Sequence, residues 1–183
     1  LIPFHTAAIA LETRGRLRAG ETLVVLGGAG GTGQAAIQIG KAIGARVIAT
    51  AGGPEKAAFC RALGADHAID YRSDEIAPAV RAATGGRGAD VICDPVGGDA
   101  FAQAQRCIAP EGRIVVIGFA SGSWAPIKIS ETLLPNISLV GALPGEFPRA
   151  VFEQAHRELS AYWRQGAFRF IGSEVFAFGE GQK

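Results

Sequence analysis

A chain of 183 residues with 48% apolar composition can bury one substantial core and is short for two. Its 18 basic and 17 acidic residues leave a net charge of +1, and the basic positions are scattered, which excludes an electrostatic footprint for nucleic acid or an anionic membrane. No apolar run has the length of a membrane span and no charged-then-apolar leader opens the chain, so a soluble, cytoplasmic protein that handles a small molecule is expected.

The first predicted element is a helix over 5–14, with Ala7, Ala8, Ile9 and Leu11 apolar and Gly15 as its stop. A turn at 18–21 leads into a strand at 23–26. Five glycines follow in seven residues, 27–33, and a helical pattern then runs over 34–43. Residues 46–50 read as a second strand rich in β-branched side chains. Gly53 and Pro54 suit the cap and first position of a helix over 55–63 that stops at Gly64. A short third strand is expected at 67–70. Ser73 is placed to cap a helix reaching 83, although Pro78 conflicts with a helix interior.

Gly85, Gly86 and Gly88 break the chain before a fourth strand at 90–93. The turn 94–98, a helix over 99–108, a continuous apolar strand at 113–117 and a sixth strand at 137–140 complete the alternation. Between 148 and 165, Phe152, Ala155, Leu159, Tyr162 and Trp163 recur at helical spacing and predict a core-facing stripe. Phe168, Phe170, Phe176 and Phe178 then alternate as in strands.

Strands that alternate with helices and are apolar on both faces predict an α/β fold: a doubly wound, parallel, six-stranded (Rossmann) sheet covered on both sides. Right-handed crossovers give strand order 3-2-1-4-5-6, with the ligand crevice where the order reverses between the first and fourth strands. The glycine turn lies there. Gly28, Gly30 and Gly33 fit GxGxxG spacing: one for the tight turn, one for close approach of a pyrophosphate, one for helix–strand packing. The following helix aims its unpaired amides and positive dipole end at the phosphates. With 26 glycines in the chain a chance match is common, so the strand–turn–helix context carries the inference.

An NAD site usually has an acid at the end of the second strand to accept from both ribose hydroxyls. Here Ala49, Thr50, Ala51, Gly52 and Gly53 stand there, and Glu55 is the first acid. A 2′-phosphate meets no carboxylate, and Lys56 and Tyr71 are within range, so NADP(H) is favoured over NAD(H). A solvated lysine and a packing tyrosine are the plain alternatives. Val96 and Gly97 after the fourth strand, and Gly118, Phe119 and Ala120 after the fifth, should face the nicotinamide end. Asp94 is expected in a turn or capping role. His5, His67 and His156 have no metal or triad spacing, and Tyr71 and Tyr162 are followed four residues later by Glu75 and Gly166, so no Tyr-x-x-x-Lys pair exists. No metal site and no catalytic residue is assigned. Cys60, Cys93 and Cys107 are an odd set at long spacings, expected as buried, inert thiols.

The segments GGAGGTGQAAIQIGKAIGARVIATA, PEKAAFCRALGADHAIDYR, GGRGADVICDPVGG and GRIVVIGFASG, in that order and spacing, resemble the medium-chain dehydrogenase/reductase superfamily, in particular its zinc-independent quinone oxidoreductase branch. The resemblance implies NADPH binding, with Gly30, Gly31, Thr32 and Gly33 at the pyrophosphate, Lys56 and Tyr71 near the 2′-phosphate, and Thr6, Val96 and Phe119 near the nicotinamide. Gly28 and Thr32 stand where alanine and valine are commonest, changes that preserve the turn. It further implies a cofactor domain inserted in a barrel-like substrate domain, and homodimers that pair the edge strand, here 137–140 with Ile137 and Val140 at its ends.

With no methionine and a first residue of Leu1, residues 1–183 are expected to be the NADP(H)-binding domain of a longer protein. The parent protein is expected to pass hydride to a quinone or α,β-unsaturated carbonyl. A non-enzymatic NADPH-binding or structural protein is the alternative on the same fold; the missing acid after the second strand disfavours a methyltransferase.

Overall fold

The computed structural model describes residues 2–169. Its elements follow the predicted alternation: helix α1 (Ile2–Ala8), strand β1 (Thr22–Val25), α2 (Gly31–Ile43), β2 (Arg46–Ala51), α3 (Pro54–Ala62), β3 (His67–Asp70) and α4 (Ile76–Ala83). Then come β4 (Ala89–Asp94), α5 (Gly98–Ala104), β5 (Ile108–Val116), α6 (Ile129–Leu133), β6 (Ser138–Gly141) and α7 (Arg149–Arg164). All pairings are parallel and the order is β3-β2-β1-β4-β5-β6, as the crossover argument requires.

The central strands explain why hydropathy was continuous rather than alternating. β1 and β4 are buried along their whole length. Leu23 and Val25 enter one core layer with Ile37, Ile39 and Val47, under α1, α2 and α7. Val24 and Leu26 enter the other with Ile48, Ile92 and Ile114, under α4 and α5. Each fully buried Leu or Ile contributes about 1.5–3 kcal/mol of transfer free energy, so both faces of β1 need apolar side chains.

Several predicted boundaries move, each for a local reason. α4 starts at Ile76, which puts Pro78 in the first turn, where its missing N–H has no intrahelical acceptor to lose. Ser73 is not its cap: its hydroxyl donates to the Asp70 carbonyl at 3.2 Å, and the Ile76 amide instead donates to Gln103 Oε1 at 3.2 Å. The helix expected over 99–108 ends at Ala104; a 3₁₀ turn (Gln105–Cys107) leads directly into β5, which starts at Ile108. The β4–β5 register jumps from Ala89↔Ile108 to Val91↔Arg113, with Glu111 at φ +62° in the bulge. Phe168 lies in an irregular segment packed against Phe4, at 4.9 Å between ring centroids, and not in a strand. Phe170, Phe176 and Phe178 lie outside the described residues.

The first helix carries a feature that periodicity did not show. From Ile9 to Arg14 it widens to a π-helix, closed by the Gly15 amide on the Ala10 carbonyl at 2.8 Å. This turn packs against α7, whose Ala155 and Leu159 are buried as predicted. Phe152 and Tyr162 are half-buried, but Trp163 is 59% exposed and is not part of the core stripe.

Between the two helices the Tyr162 hydroxyl donates to Glu12 Oε1 at 2.9 Å, and the buried Oε2 faces the Glu158 carboxyl, to which it donates once Glu12 is protonated. Burial, reinforced by Glu158, pushes Glu12 from the ordinary 4.5 up to about 8. Glu158, hydrogen-bonded to Glu12, is held below the ordinary value. Between pH 4.5 and 8 the native state thus keeps a proton on Glu12 that the unfolded state has released. Stability from this group is full below 4.5 and is lost as pH rises through about 8. Urea denaturation at pH 5, 7 and 9 should show a falling midpoint that Glu12→Gln flattens; an unchanged pH profile in that variant would refute the assignment.

Candidate cofactor site

The turn after β1 is held from below by β2. The Gly27 amide donates to Thr50 Oγ1 at 3.3 Å, the Gly28 amide to the Thr50 carbonyl at 2.8 Å, and the Gly30 amide to the Gly27 carbonyl at 2.9 Å. Gly27 has φ +62°, a conformation that disfavours any side chain with a Cβ. A Cβ on Gly33 would sit 2.2 Å from the Gly27 carbonyl oxygen and 2.7 Å from Gly28 Cα, so α2 lies directly on the turn. The tight-turn role predicted for Gly28 therefore belongs to Gly27. Gly28 is buried, and a Cβ there would meet Ala49 and Cys60 at 2.9 Å. Gly30, extended at φ −78° and ψ 166°, is the N-cap, and α2 begins three residues earlier than predicted. Its first-turn amides have no intrahelical acceptor and point out of the turn.

This turn forms one wall of a cleft of about 570 Å³ at the switch between β1 and β4. Gly30, Gly31, Thr32 and Gly33 line it, as do Gly52, Lys56 and Tyr71 from the β2–β3 side and Val96, Gly118, Phe119 and Ala120 from the β4–β5 side. Three predicted residues are not on its lining. Gly28 and Gly97 are buried behind it, and Thr6 is half-buried on α1, the helix whose Pro3 side chain lies 3.5 Å from a Cβ built on Gly31. Gly27, Ala29, Ala51, Pro95 and Ile117 line the cleft without having been singled out. The readable signal was a glycine directly after the apolar run of β1, and the structure shows that it takes the positive φ.

At the β2–β3 corner no acid follows β2. Tyr71, 52% exposed, folds over the backbone so closely that a Cβ on Gly52 would lie 2.5 Å from its hydroxyl. Asp70 Oδ1 accepts from the Gly53 amide at 2.8 Å and the Arg72 amide at 3.0 Å, and those two bonds hold its carboxyl below the ordinary range. The Arg72 guanidinium comes within 3.5 Å of a Cβ built on Gly53. Lys56, Tyr71 and Arg72 therefore gather on one corner, where sequence reasoning had only the first two.

The other candidates separate from this cleft. His5 and His156, 151 positions apart, stack at 5.4 Å with an interplanar angle of 8°, while His67 is exposed on β3. Cys60, Cys93 and Cys107 are buried and free, and burial raises their thiols to about 11, 12 and 11. They are inert at neutral pH. Among the described residues no group of three His, Cys, Asp or Glu side chains is placed to hold a metal, and no helix is long and apolar enough to cross a membrane.

Comparison with known proteins agrees with this geometry. Residues 31–161 match the family model described as zinc-binding dehydrogenase. Quinone oxidoreductase-like protein 2 of Bos taurus is 38% identical over 183 residues, covering 98% of this chain and 52% of that protein. Prostaglandin reductase-3 of Mus musculus is 38% identical over 130 residues, 71% of this chain and 34% of that protein. Among solved structures, a quinone oxidoreductase of Pseudomonas syringae superposes with a TM-score of 0.87 at 28% identity, over 94% of this chain and 54% of that one. Mycobacterial Rv1454c complexed with NADPH gives 0.86 at 30% identity, over 93% and 55%. The chain spans about half the length of the curated relatives Bos taurus, Rattus norvegicus and Mus musculus supply under the first of these names. By its family-model match, its relatives and its six-stranded sheet, it belongs to the zinc-binding dehydrogenase family of the medium-chain dehydrogenase/reductase superfamily.

Proposed function

We propose that residues 1–183 form the NADP(H)-binding domain of an oxidoreductase whose complete form reduces a quinone or an α,β-unsaturated carbonyl. The observation that carries this reading is the glycine turn whose Gly33 leaves no room for a Cβ, opening α2 toward a cleft with an acid-free β2, with Lys56 and Tyr71 on its lining and Arg72 beside Gly53 next to them. A dinucleotide fits that shape. The α2 amides hold the pyrophosphate, Lys56 and Arg72 neutralise a 2′-phosphate, and Tyr71 packs beside it. When bound, the nicotinamide supplies hydride; Val96, Phe119 and Ala120 fix which way its ring faces. Support for the reaction class comes from relatives named as quinone oxidoreductase-like protein and prostaglandin reductase, and for the cofactor from the mycobacterial structure with NADPH.

The same reading includes a homodimer. β6 is an edge strand with Leu139 44% exposed, and Ile129, Leu133 and Leu134 of the adjoining segment are 84%, 70% and 85% exposed. A second copy pairing on that edge would satisfy the free backbone groups and cover these side chains.

Calorimetric titration with NADPH and NADH tests the cofactor assignment. Lys56→Ala should weaken NADPH about ten- to a hundredfold, the value of a charge-assisted hydrogen bond of roughly 1.5–3 kcal/mol, and leave NADH unchanged. Equal loss for both cofactors, or none for either, overturns the 2′-phosphate assignment; a wild type that binds neither overturns the function.

A further inference from the structure

Asp94 ends β4 just before the cleft-lining Pro95 and Val96 and is 0% exposed. Its side chain and its carbonyl act on two different turns. Oδ1 accepts from the Val96 and Gly97 amides, both at 2.8 Å, and so closes the turn after β4. The carbonyl accepts from Ile117 at 2.8 Å and Gly118 at 3.4 Å, which starts the turn after β5. From there the turns run on as a ladder: the Ala120 amide donates to the Pro95 carbonyl at 3.1 Å and the Ser121 amide to the Val96 carbonyl at 2.9 Å. They are packed without slack, since a Cβ on Gly97 would come within 2.7 Å of the Ser123 carbonyl and 3.4 Å of Phe119 Cα.

The other oxygen, Oδ2, is buried and has no hydrogen-bond partner. Burial raises this carboxyl against the pull of the two amides. Placing a carboxylate there is costly for stability alone, so the acceptor at Oδ1 is the feature that the position retains.

We propose that Asp94 is a positioning residue that couples the turns after β4 and β5 into one unit, so that the nicotinamide end of the cleft forms as a whole. The proposal rests on the NADP(H) reading for what the unit binds, though not for the coupling itself. Asp94 is buried and is not on the cleft lining. Its side chain fixes the turn that carries Val96, and the carbonyls of Asp94, Pro95 and Val96 in that turn hold the loop that carries Phe119.

Two measurements on the full chain test this. The first compares NADPH with 2′-phospho-ADP-ribose, which lacks the nicotinamide. Asp94→Ala should weaken NADPH about tenfold and leave 2′-phospho-ADP-ribose within about twofold, and Asp94→Asn, which keeps an acceptor at Oδ1, should bring NADPH back to within about threefold of wild type. A general loss of structure would weaken both ligands alike, and that result, or an unaffected NADPH affinity in Asp94→Ala, overturns the proposal. The second needs no variant. Native-state hydrogen exchange of the ligand-free wild type should show the Val96, Gly97, Ile117 and Gly118 amides opening together with one free energy. Independent opening of the two turns overturns the coupling, even where Asp94→Ala does not fold. Failure of the wild type to bind NADPH would overturn the cofactor reading instead, and leave the exchange result to decide the coupling.

Discussion

Gly33→Ala should lose measurable NADPH binding and about 3 kcal/mol or more of stability. The added methyl would be 2.2 Å from the Gly27 carbonyl oxygen, 2.7 Å from Gly28 Cα and 2.9 Å from the Gly27 carbonyl carbon. All three are backbone atoms of a turn fixed to Thr50 by two hydrogen bonds, so no side-chain rotation relieves the contact. Either α2 lifts off β1, uncovering Ile37 and Ile39, or the turn unwinds and the anion site goes with it. Gly31→Ala is the stability control: its Cβ meets only the Pro3 ring, at 3.5 Å, which is ordinary contact. That variant should unfold within about 0.5 kcal/mol of wild type. Urea unfolding of the two variants side by side is decisive, because a Gly33→Ala midpoint matching Gly31→Ala would show that the turn yields.

Arg113→Ala should cost about 3 kcal/mol, a drop of roughly 6–12 °C in melting temperature for a domain of this size. Arg113 opens the second half of β5 and uses its whole guanidinium. Nη1 and Nη2 form a bidentate pair with Glu21 at 2.9 and 2.8 Å, Nε donates to the Gly15 carbonyl at 2.8 Å, and Nη2 also donates to the Arg16 carbonyl at 3.1 Å. The pair is 20% and 22% exposed, so water replaces these bonds only in part. Its loss leaves the half-buried Glu21 carboxylate with only the Arg18 amide as donor and removes the guanidinium from the Gly15 and Arg16 carbonyls. Burial would raise the Glu21 carboxyl, but Arg113 and the Arg18 amide outweigh it and hold it below the ordinary range. Arg113→Lys should recover less than half of the loss, since an ammonium cannot fill the fork. Differential scanning calorimetry of both variants measures this, and full recovery by lysine would count against a geometric role.

The strand order and the turn at the switch point were legible because both come from local rules. Strand–helix alternation with apolar runs at 23–26, 46–50 and 113–117 admits few topologies, and right-handed crossovers with a dinucleotide-type glycine turn after the first strand favour 3-2-1-4-5-6. Gly33 was legible because only a residue without a Cβ fits against the turn, whereas the tight turn fell on Gly27 and not on Gly28, because GxGxxG spacing does not report which glycine takes the positive φ. Lys56 and Tyr71 were legible for a different reason: an acid missing after β2 is a visible absence at a known position. Arg72 was missed although it follows Tyr71, because whether its guanidinium turns toward Gly53 depends on the Asp70 bonds that shape the corner.

What the sequence alone determined is therefore the six strands, their order in the sheet and the place of the glycine turn at its switch point, all of which follow from periodicity and from the sterics of single residues. What only the tertiary structure decided are the contacts between residues far apart in the chain: Arg113 on Glu21, Tyr162 on Glu12, His5 on His156, and the two loops joined through Asp94. Such pairs leave no local pattern. Their energy depends on distance and burial, and both are known only once the sheet has brought the elements together.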